Sequence, residues 1–258
     1  MGIINLTPDS FFVESRFQTK AGILKQVEQM LNEGADMIDF GSFSSRPNTN
    51  LISQEEEESR LFAPLKAIVQ EFPNAIISID TYRSQIAKQA IQEGAHLIND
   101  ISGGNFDPNM FETIQQLNVP YILMHMKGEP KTMQQNPAYK DVFQEIYYSF
   151  SERLAKLTQL GVKDVILDVG FGFGKTLEHN FTLLKKLNYF HSLERPILAG
   201  LSRKGMIQKV IQEPADKALN GTTAAHVLAL LNGANILRVH DVKAAKEACH
   251  IVNFYQKQ

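Results

Sequence analysis

The sequence predicts an α/β fold in which eight strand and helix units form one closed barrel. Short apolar runs alternate with longer segments in which apolar residues recur at helical spacing, such as Ile23, Val27 and Met30. Eight such units favour a single (β/α)8 TIM barrel over an open doubly wound sheet, which usually has fewer strands and stays the alternative. The 258 residues suit one barrel of ~250 residues, so we expect one domain over residues 1–258.

Eight segments have the composition of buried strands. They are residues 2–7, 37–41, 75–81, 97–101, 121–126, 165–169, 196–202 and 236–241. Glycine precedes the even-numbered strands and proline precedes three of the odd-numbered ones, as expected where a helix ends before the chain turns into a strand. These residues are Gly34, Gly94, Gly161 and Gly233, and Pro73, Pro120 and Pro196. The connections 9–19, 42–54 and 127–139 are long and are candidates for substrate cover.

Composition and charge exclude several classes of protein. Lys and Arg number 26 against 28 Asp and Glu, so the formal charge of −2 does not favour nucleic acid as a partner. Cys249 is the only cysteine, which excludes an intramolecular disulfide and suits reducing cytosol. No apolar run approaches the ~20 residues of a membrane span, and no basic leader precedes the first strand. We therefore expect a soluble, cytoplasmic protein with no membrane partner.

Polar residues stand at the carboxyl ends of the predicted strands, where a barrel of this kind places its active site. They are Asn5, Thr7, Asp39, Asp80, Thr81, Asn99, Asp100, His125, Asp168, Ser202, Lys204, Arg238 and His240. Some of these residues, and other polar residues of the chain, have a simpler explanation. Asp9, Thr81 and Asp100 suit helix caps or turns, His125 and His226 suit packing, and the four glutamates at 55–58 suit a solvated first helical turn.

Three features are not explained by caps or packing. Asp80 and Asp168 lie in otherwise apolar strands, where a carboxylate is costly unless it is paired or accepts hydrogen bonds. Arg238 and His240 alternate with an apolar residue and face the same side of strand eight, and Lys204 follows strand seven, which are the usual phosphate positions of this fold. The sequence has no His and Cys cluster with the spacing of zinc ligands and no recognisable Ser, His and Asp triad for acyl transfer. These features favour group transfer on a phosphorylated, nitrogen-rich substrate.

The stretch DVGFGFGKT at 168–176 is a near miss for two phosphate-binding loops. A nucleotide loop needs glycine where Val169 stands, and a dinucleotide loop needs glycine where Lys175 stands. We therefore predict that the phosphate contacts lie at Lys204, Arg238 and His240, with Arg46 from a loop.

A series of motifs in the same order resembles the dihydropteroate synthase family, the pterin-binding barrel enzymes of folate synthesis. The resemblance spans essentially the whole chain. The motifs are MGIINLTPDSF (1–11), SSRP (44–47), IDT (79–81), IND (98–100), LMHM (123–126), GFGFGK (170–175), SRK (202–204) and RVHD (238–241).

The resemblance implies a reaction and a set of site residues. It implies Mg²⁺-dependent condensation of 6-hydroxymethyl-7,8-dihydropterin diphosphate with p-aminobenzoate, by loss of diphosphate and attack of the aryl amine on a pterin methylene cation. By the same resemblance the site residues are catalytic Asp80, Lys204, Arg238 and His240; pterin-binding Asp80, Asn99, Met124, Asp168 and Lys204; diphosphate-binding Asn5, Arg46, Arg238 and His240; p-aminobenzoate-binding Ser45, Arg46, Phe173 and Ser202; and Asn5 as Mg²⁺ ligand. Sulfonamides would compete with p-aminobenzoate, and a homodimer is expected.

Three departures from the family pattern leave alternatives open. Ser-Asp-Gly-Gly becomes FVES at 12–15, Gly-Gly-x-Ser-Thr-Arg-Pro becomes GSFSSRP at 41–47, and Asp-Pro-Gly becomes DVG at 168–170. The first two lie in the loops that would complete the catalytic site. A pterin-binding paralogue with weak or no turnover is therefore the alternative. A methyl-transfer domain of the same barrel type is a third reading, which the cations Lys204, Arg238 and His240 disfavour because a methyl donor carries no diphosphate.

Overall fold

The computed structural model describes residues 1–6, 19–42 and 52–258, and it contains the eight strands that the sequence predicts. The strands are β1 (Gly2–Asn5), β2 (Ile38–Gly41), β3 (Ile77–Asp80), β4 (Leu97–Asp100), β5 (Tyr121–Met124), β6 (Val165–Asp168), β7 (Ile197–Ala199) and β8 (Ile236–Leu237). The helices are α1 (Lys20–Asn32), α2 (Gln54–Glu71), α3 (Ser84–Gln92), α4 (Met110–Leu117), α5 (Val142–Gln159), α6 (Leu177–Lys185), α7 (Gly205–Ile211), α8 (Leu219–Leu231) and α9 (Val242–Tyr255), with 3-10 helices at Leu187–Leu193 and Ala215–Lys217.

The strands pair in parallel and in chain order from β1 to β8. Val239, just beyond β8, pairs with Gly2 of β1, because Val239 N donates to Met1 O at 2.9 Å and Ile3 N donates to Val239 O at 2.9 Å. The sheet therefore closes on itself, which confirms the barrel rather than the open sheet.

The strands are shorter than the sequence predicts. The predicted seventh strand, 196–202, contains a ladder of only Ile197–Ala199. The residues that follow the ladder at the barrel mouth, Leu201 and Ser202, are still buried. The sequence predicts strands that are too long because it responds to burial, which extends beyond the hydrogen-bonded ladder.

Alternate residues of each strand serve two different cores. Ile77 and Ile79 pack outward between the sheet and the helices, in the main apolar cluster. Leu97, Ile122 and Leu198 form a separate cluster with Met1. These strands are not all neighbours, so their side chains meet inside the barrel and fill it below the polar mouth. Complete burial of one such aliphatic side chain stabilises the fold by about 1.5–3 kcal/mol.

Glycines end the helices that precede the even-numbered strands, as predicted. Gly34, Gly94, Gly161 and Gly233 have φ values of 94°, 101°, 85° and 93°. This left-handed conformation is accessible to glycine at little cost and lets the chain leave a helix in a tight turn.

The prediction of a solvated turn at 55–58 is wrong for one of its four glutamates. Glu57 is completely buried, where it accepts a hydrogen bond from Thr81 Oγ1 at 2.7 Å and pairs with the Arg83 guanidinium. Helical periodicity turns this position of α2 toward the turn after β3, while its neighbours face outward. The sequence run alone gives no sign of which glutamate faces inward.

Among the helices of the described residues, none combines the length and the apolar character that crossing a membrane requires.

His226 on α8 is a buried packing residue. Its side chain is 2% exposed, and its Nε2 atom has no hydrogen-bond partner within the described ranges. Burial lowers the pKa of His226 from 6.5 to about 4, because an unpaired imidazolium is costly to enclose.

We expect replacement of His226 by leucine to weaken the pH dependence of stability. Between the unfolded pKa near 6.5 and the folded pKa near 4, the unfolded chain binds a proton at this histidine and the folded chain does not. The contribution of the neutral histidine is therefore lost as the pH falls through this window. From about pH 7 to about pH 5 the wild type should lose about 2 kcal/mol more unfolding free energy than His226→Leu.

Urea denaturation of both proteins at both pH values measures this difference. Equal losses in the two proteins would contradict the assignment to His226.

Candidate active site

A buried ion cluster crosses the barrel mouth. The Arg238 guanidinium donates to Asp39 Oδ2 at 2.6 Å and to Asp80 Oδ2 at 2.8 Å. Asn99 Nδ2 also donates to Asp39 Oδ2, at 3.2 Å. Arg238 follows β8, whereas its two partners lie on β2 and β3, so these contacts span the interior. The predicted phosphate ligand Arg238 is therefore also a partner of two interior carboxylates.

Burial and charge set the protonation of this cluster. The pKa of Asp80 is raised to about 8. Burial is the main cause, the Arg238 charge opposes the rise, and the neighbouring Asp39 carboxylate adds to it. Burial acts to lower the pKa of Arg238, but the two carboxylates outweigh burial and raise it, so the guanidinium stays charged. Asp39 Oδ1 and Asp80 Oδ1 have no hydrogen-bond partner in the part of the chain that is described. Asp80 thus offers a buried carboxyl oxygen to a ligand, close to a fixed cation.

A second set of opposite charges, Asp168 and Lys204, lies at the ends of β6 and β7. Asp168 Oδ1 accepts a hydrogen bond from Gly170 N at 2.8 Å. Burial raises the pKa of Asp168, and the nearby Lys204 ammonium opposes that shift. Burial in turn lowers the pKa of Lys204 to about 8, with Asp168 acting in the opposite direction. Lys204 Nζ donates to Phe171 O and lies 4.9 Å from the centre of the Phe173 ring.

An apolar cluster forms one wall beside these charges. Its buried members are Tyr82, Ile101, Met124, Met126 and Met133, and Ile52, Phe106 and Phe173 pack against them. A flat ligand could place its ring against Met124 and Phe173 and direct its polar edge to Asp168. The wall and the charged groups beside it together suit an aromatic ligand rich in N–H groups.

His240 and Ser202 lie together at the ends of β8 and β7. Ser202 Oγ accepts from His240 N at 3.2 Å and lies 3.1 Å from His240 Nδ1. The next residues along each segment are also joined, because Arg203 donates to both carboxylate oxygens of Asp241 at 2.8 Å. The two segments that carry the predicted anion ligands are therefore fixed to each other.

Asn5 stands at the end of β1 beside a glycine. A Cβ atom at Gly41 would lie 3.7 Å from Asn5 Oδ1, so glycine keeps this space open. Within residues 1–6, 19–42 and 52–258, no cluster of three or more His, Cys, Asp or Glu side chains could hold a metal. The predicted site residues Ser45 and Arg46 lie outside the described residues, as do Thr7, Asp9 and most of the long connections 9–19 and 42–54.

Asp100 and Thr81 have the local roles that the sequence predicts. Asp100 accepts hydrogen bonds from Ser102 N at 2.7 Å, from Gly104 N at 2.8 Å and from the Tyr121 hydroxyl at 2.7 Å. Thr81 Oγ1 accepts from Arg83 N at 3.2 Å. Both residues satisfy backbone groups in turns.

The glycines of the 168–176 stretch bring two backbone segments together. Gly170 and Gly174 have φ values of 68° and 63°. A Cβ atom at Gly170 would lie 2.0 Å from His125 O, and one at Gly174 would lie 2.2 Å from Lys127 O. Thr176 then caps α6 by accepting from His179 N at 3.2 Å. The stretch is a tightly packed connection between the mouth and α6.

Two residues at the mouth have no binding or catalytic role predicted from the sequence. Asp39 is among the polar residues at the strand ends, and the cost of a carboxylate in an apolar strand, which singles out Asp80, applies to Asp39 as well. Lys175 is 3% exposed, and its ammonium donates to Phe173 O at 2.9 Å. A single lysine after alternating glycines and phenylalanines gives no sign of such burial.

The chain is similar to pterin-binding proteins over nearly its whole length. The family model described as pterin binding enzyme matches residues 1–240. Dihydropteroate synthase of Escherichia coli K12 is 41% identical over 254 residues, which cover 98% of this chain and 89% of that protein. Dihydropteroate synthase of Haemophilus influenzae is 42% identical over 249 residues, which cover 96% and 90% of the two chains.

Solved structures give the same result. The structure of Yersinia pestis dihydropteroate synthase with a sulfonamide drug complex superposes with a TM-score of 0.95 at 37% identity, covering 100% of this chain and 94% of that one. Xanthomonas albilineans dihydropteroate synthase with 4-aminobenzoic acid gives a TM-score of 0.91 at 34% identity, with 99% and 92% covered.

We expect Gly170→Ala to destabilise the protein strongly. The new methyl group would collide with the His125 carbonyl oxygen, and alanine is strained at the positive φ of this position, so the loss should be about 3 kcal/mol or more. Gly205→Ala is the matched control, because a Cβ at Gly205 meets nothing within 4 Å and its φ is not in the positive range. Urea denaturation compares the two variants, and a loss at Gly170 no larger than at Gly205 would contradict the packing argument.

Proposed function

The chain belongs to the dihydropteroate synthases of the pterin-binding enzyme family, and from this premise we propose that it joins 6-hydroxymethyl-7,8-dihydropterin diphosphate to p-aminobenzoate and releases diphosphate. The observation that carries the proposal is the pair of interior carboxylates, Asp80 and Asp168, each beside a cation and next to an apolar wall. This arrangement suits a flat, nitrogen-rich ring that bears an anionic leaving group.

The pterin would bind to Asp80, Asn99, Met124, Asp168 and Lys204. One Asp168 oxygen already accepts from Gly170 N, and the carboxylate keeps acceptor capacity for the N–H groups of the pterin's amino-pyrimidine edge. Lys204 can donate to a ring acceptor beside that edge. Met124 and Phe173 supply apolar surface for the ring faces.

The reaction would proceed through a cationic pterin. The bond from the pterin methylene carbon to a diphosphate oxygen breaks, and its electron pair leaves with diphosphate. The p-aminobenzoate nitrogen then forms the new C–N bond and releases one proton. Asp80 would stabilise the positive charge that develops at the methylene carbon, and that charge in turn favours ionised Asp80 despite its raised pKa.

Arg238, His240, Asn5 and Arg46 would hold the diphosphate. Asn5 would also contribute an oxygen to Mg²⁺, and the open space at Gly41 beside Asn5 Oδ1 fits an ion that takes most ligands from phosphate and water. When bound, Mg²⁺ neutralises charge on diphosphate and makes it a better leaving group. With Asp80 and Lys204, Arg238 and His240 form the proposed catalytic set.

Ser45, Arg46, Phe173 and Ser202 would form the p-aminobenzoate site. The Phe173 ring packs against the apolar wall and below the Lys204 ammonium, which supports a place for an aromatic ring beside the pterin. Sulfonamides would compete at this site. The lone cysteine supports the cytoplasm as the location of the protein.

We also propose that two copies of the chain pair through α8 and α9. These helices pack against each other and expose large apolar side chains to solvent. The exposed residues are Leu228, Leu231, Ile251, Phe254 and Tyr255. A second copy of the same face would cover them and bury apolar surface symmetrically.

The condensation assay tests the function directly. Incubation with both substrates and Mg²⁺ should produce 7,8-dihydropteroate, and product formation should stop when Mg²⁺ is removed with a chelator. The departures at 12–15 and 41–47 make this assay decisive, because a pterin-binding paralogue would bind the pterin without product. Absence of product at high protein concentration would contradict the proposed activity.

Asp168→Asn tests the proposed pterin contact in a binding experiment. The amide keeps the shape of the carboxylate but loses its charge and one acceptor, so pterin affinity should fall about 100-fold. Calorimetric titration with the pterin substrate measures the change.

We expect the protein to sediment at twice its monomer mass of 29.0 kDa. Leu228→Glu should shift it toward monomer, because a charge in an apolar contact between copies costs desolvation. Tyr148→Glu is the control, since this exposed residue lies on α5. A wild type that sediments as a monomer, or two variants with the same effect, would contradict pairing through α8 and α9.

A further inference from the structure

We propose that Lys175 is a positioning residue of the pterin site, whose buried ammonium fastens the loop after β6 onto the end of β5 and thereby sets the position of Phe173 and the charge of Asp168. This role rests on the proposed function, because it concerns how the same pocket binds its pterin. The loop is residues 170–175, and neither the phosphate prediction nor the proposed mechanism uses Lys175.

The Lys175 ammonium has three acceptors within hydrogen-bond distance. Nζ lies 2.9 Å from Phe173 O, 3.3 Å from His125 O and 3.2 Å from His125 Nδ1. An ammonium carries three N–H donors, so these contacts use all of them. Lys175 therefore has no donor left for a phosphate, although its motif resembles a phosphate loop.

These contacts determine the form of His125. When Lys175 is charged it can only donate, so His125 Nδ1 must be the unprotonated nitrogen of a neutral ring. Burial lowers the pKa of His125 well below its usual range, and the Lys175 charge lowers it further, which agrees with a neutral ring. Burial lowers the pKa of Lys175 itself to about 7, with Asp168 opposing that shift.

Lys175 links two strands that carry pterin ligands. His125 directly follows Met124 of β5. The backbone N–H of His125 donates to the backbone carbonyl of Asp168, at the end of β6, at 2.9 Å. Gly170 packs directly on the His125 carbonyl. A shift of the 170–175 loop away from His125 would therefore move Phe173 and change the surroundings of Asp168 together.

The charge of Lys175 acts on Asp168 as well. Burial raises the pKa of Asp168, and Lys204, Gly170 N–H, Arg238 and Lys175 all oppose that rise. Removal of the Lys175 charge would shift Asp168 toward its protonated form. A protonated Asp168 has less acceptor capacity for the pterin's N–H groups.

Lys175→Met tests the role, because methionine keeps the unbranched shape and removes the ammonium. We expect the dissociation constant of the pterin substrate, measured by calorimetry without p-aminobenzoate, to rise about tenfold. Lys175→Arg keeps the charge and should recover part of the loss. Lys186→Met is the control, since this lysine lies at the end of α6 against Phe143 on the outer side of the barrel, and its pterin affinity should match the wild type.

Nitrogen NMR of His125 gives a second readout that a general loss of stability would not change. At about pH 6, below the Lys175 pKa, the wild-type Nδ1 signal should be that of an unprotonated, hydrogen-bonded nitrogen. In folded Lys175→Met it should move toward the value of a nitrogen without a donor.

The outcomes separate this role from the function itself. A wild type that binds no pterin would contradict the proposed function and with it this role. A wild type that binds pterin, beside a Lys175→Met variant with an unchanged dissociation constant, would contradict the role of Lys175 alone. If Lys175→Met does not fold, the wild-type signal decides, because a protonated Nδ1 at about pH 6 would overturn the contact and an unprotonated one supports it.

Discussion

The structure of the barrel mouth depends on buried carboxylates and buried cations that stabilise each other away from water. Asp39, Asp80 and Asp168 are each less than one tenth exposed, and an unpaired carboxylate at such a position costs several kcal/mol. Arg238, Lys204 and Lys175 supply the compensating cations. Because these groups come from five different strands or the loops after them, β2, β3, β6, β7 and β8, the charges meet only when the barrel has closed. Closure of the sheet and assembly of the site are therefore the same event.

The ratio of carboxylates to cations differs between the two sides of the mouth, and this difference suits the proposed chemistry. Asp39 and Asp80 share the single guanidinium of Arg238, which leaves that side with an excess of negative charge when both are ionised. Asp168 has both Lys204 and Lys175 nearby, which gives its side an excess of positive charge when both lysines are charged. A developing cation would be stabilised near Asp80, while the pterin edge would meet a carboxylate whose ionised form two ammonium groups favour. The fold holds these side chains in place before any ligand arrives, which is the geometric condition for electrostatic preorganisation.

The sequence predicts the scaffold of this arrangement but not its pairings. Strand period, helix-ending glycines such as Gly94, and interior carboxylates such as Asp80 are local signals, so the eight-strand order and the polar mouth could be inferred from them. The sequence predicts that Arg238 faces an anion, whereas in the structure it also bridges Asp39 and Asp80. That pairing depends on the closure of β8 onto β1 and on the barrel interior, and no local pattern encodes it. The same holds for Glu57, whose burial depends on how α2 meets the turn after β3.

The loop after β6 shows how backbone requirements and ligand binding become coupled. Buried carbonyl groups need donors, and the turning path of this loop, with positive φ at Gly170, Gly172 and Gly174, prevents regular backbone pairing. The carbonyls of four successive residues instead accept from side chains: Phe171 O from Lys204, Gly172 O from Gln134, Phe173 O from Lys175 and Gly174 O from Tyr139. Two of these donors are the cations next to Asp168. The groups that make the loop foldable are therefore also those that favour the charged form of the proposed pterin anchor, so a substitution at either lysine would act on loop geometry and on ligand affinity together.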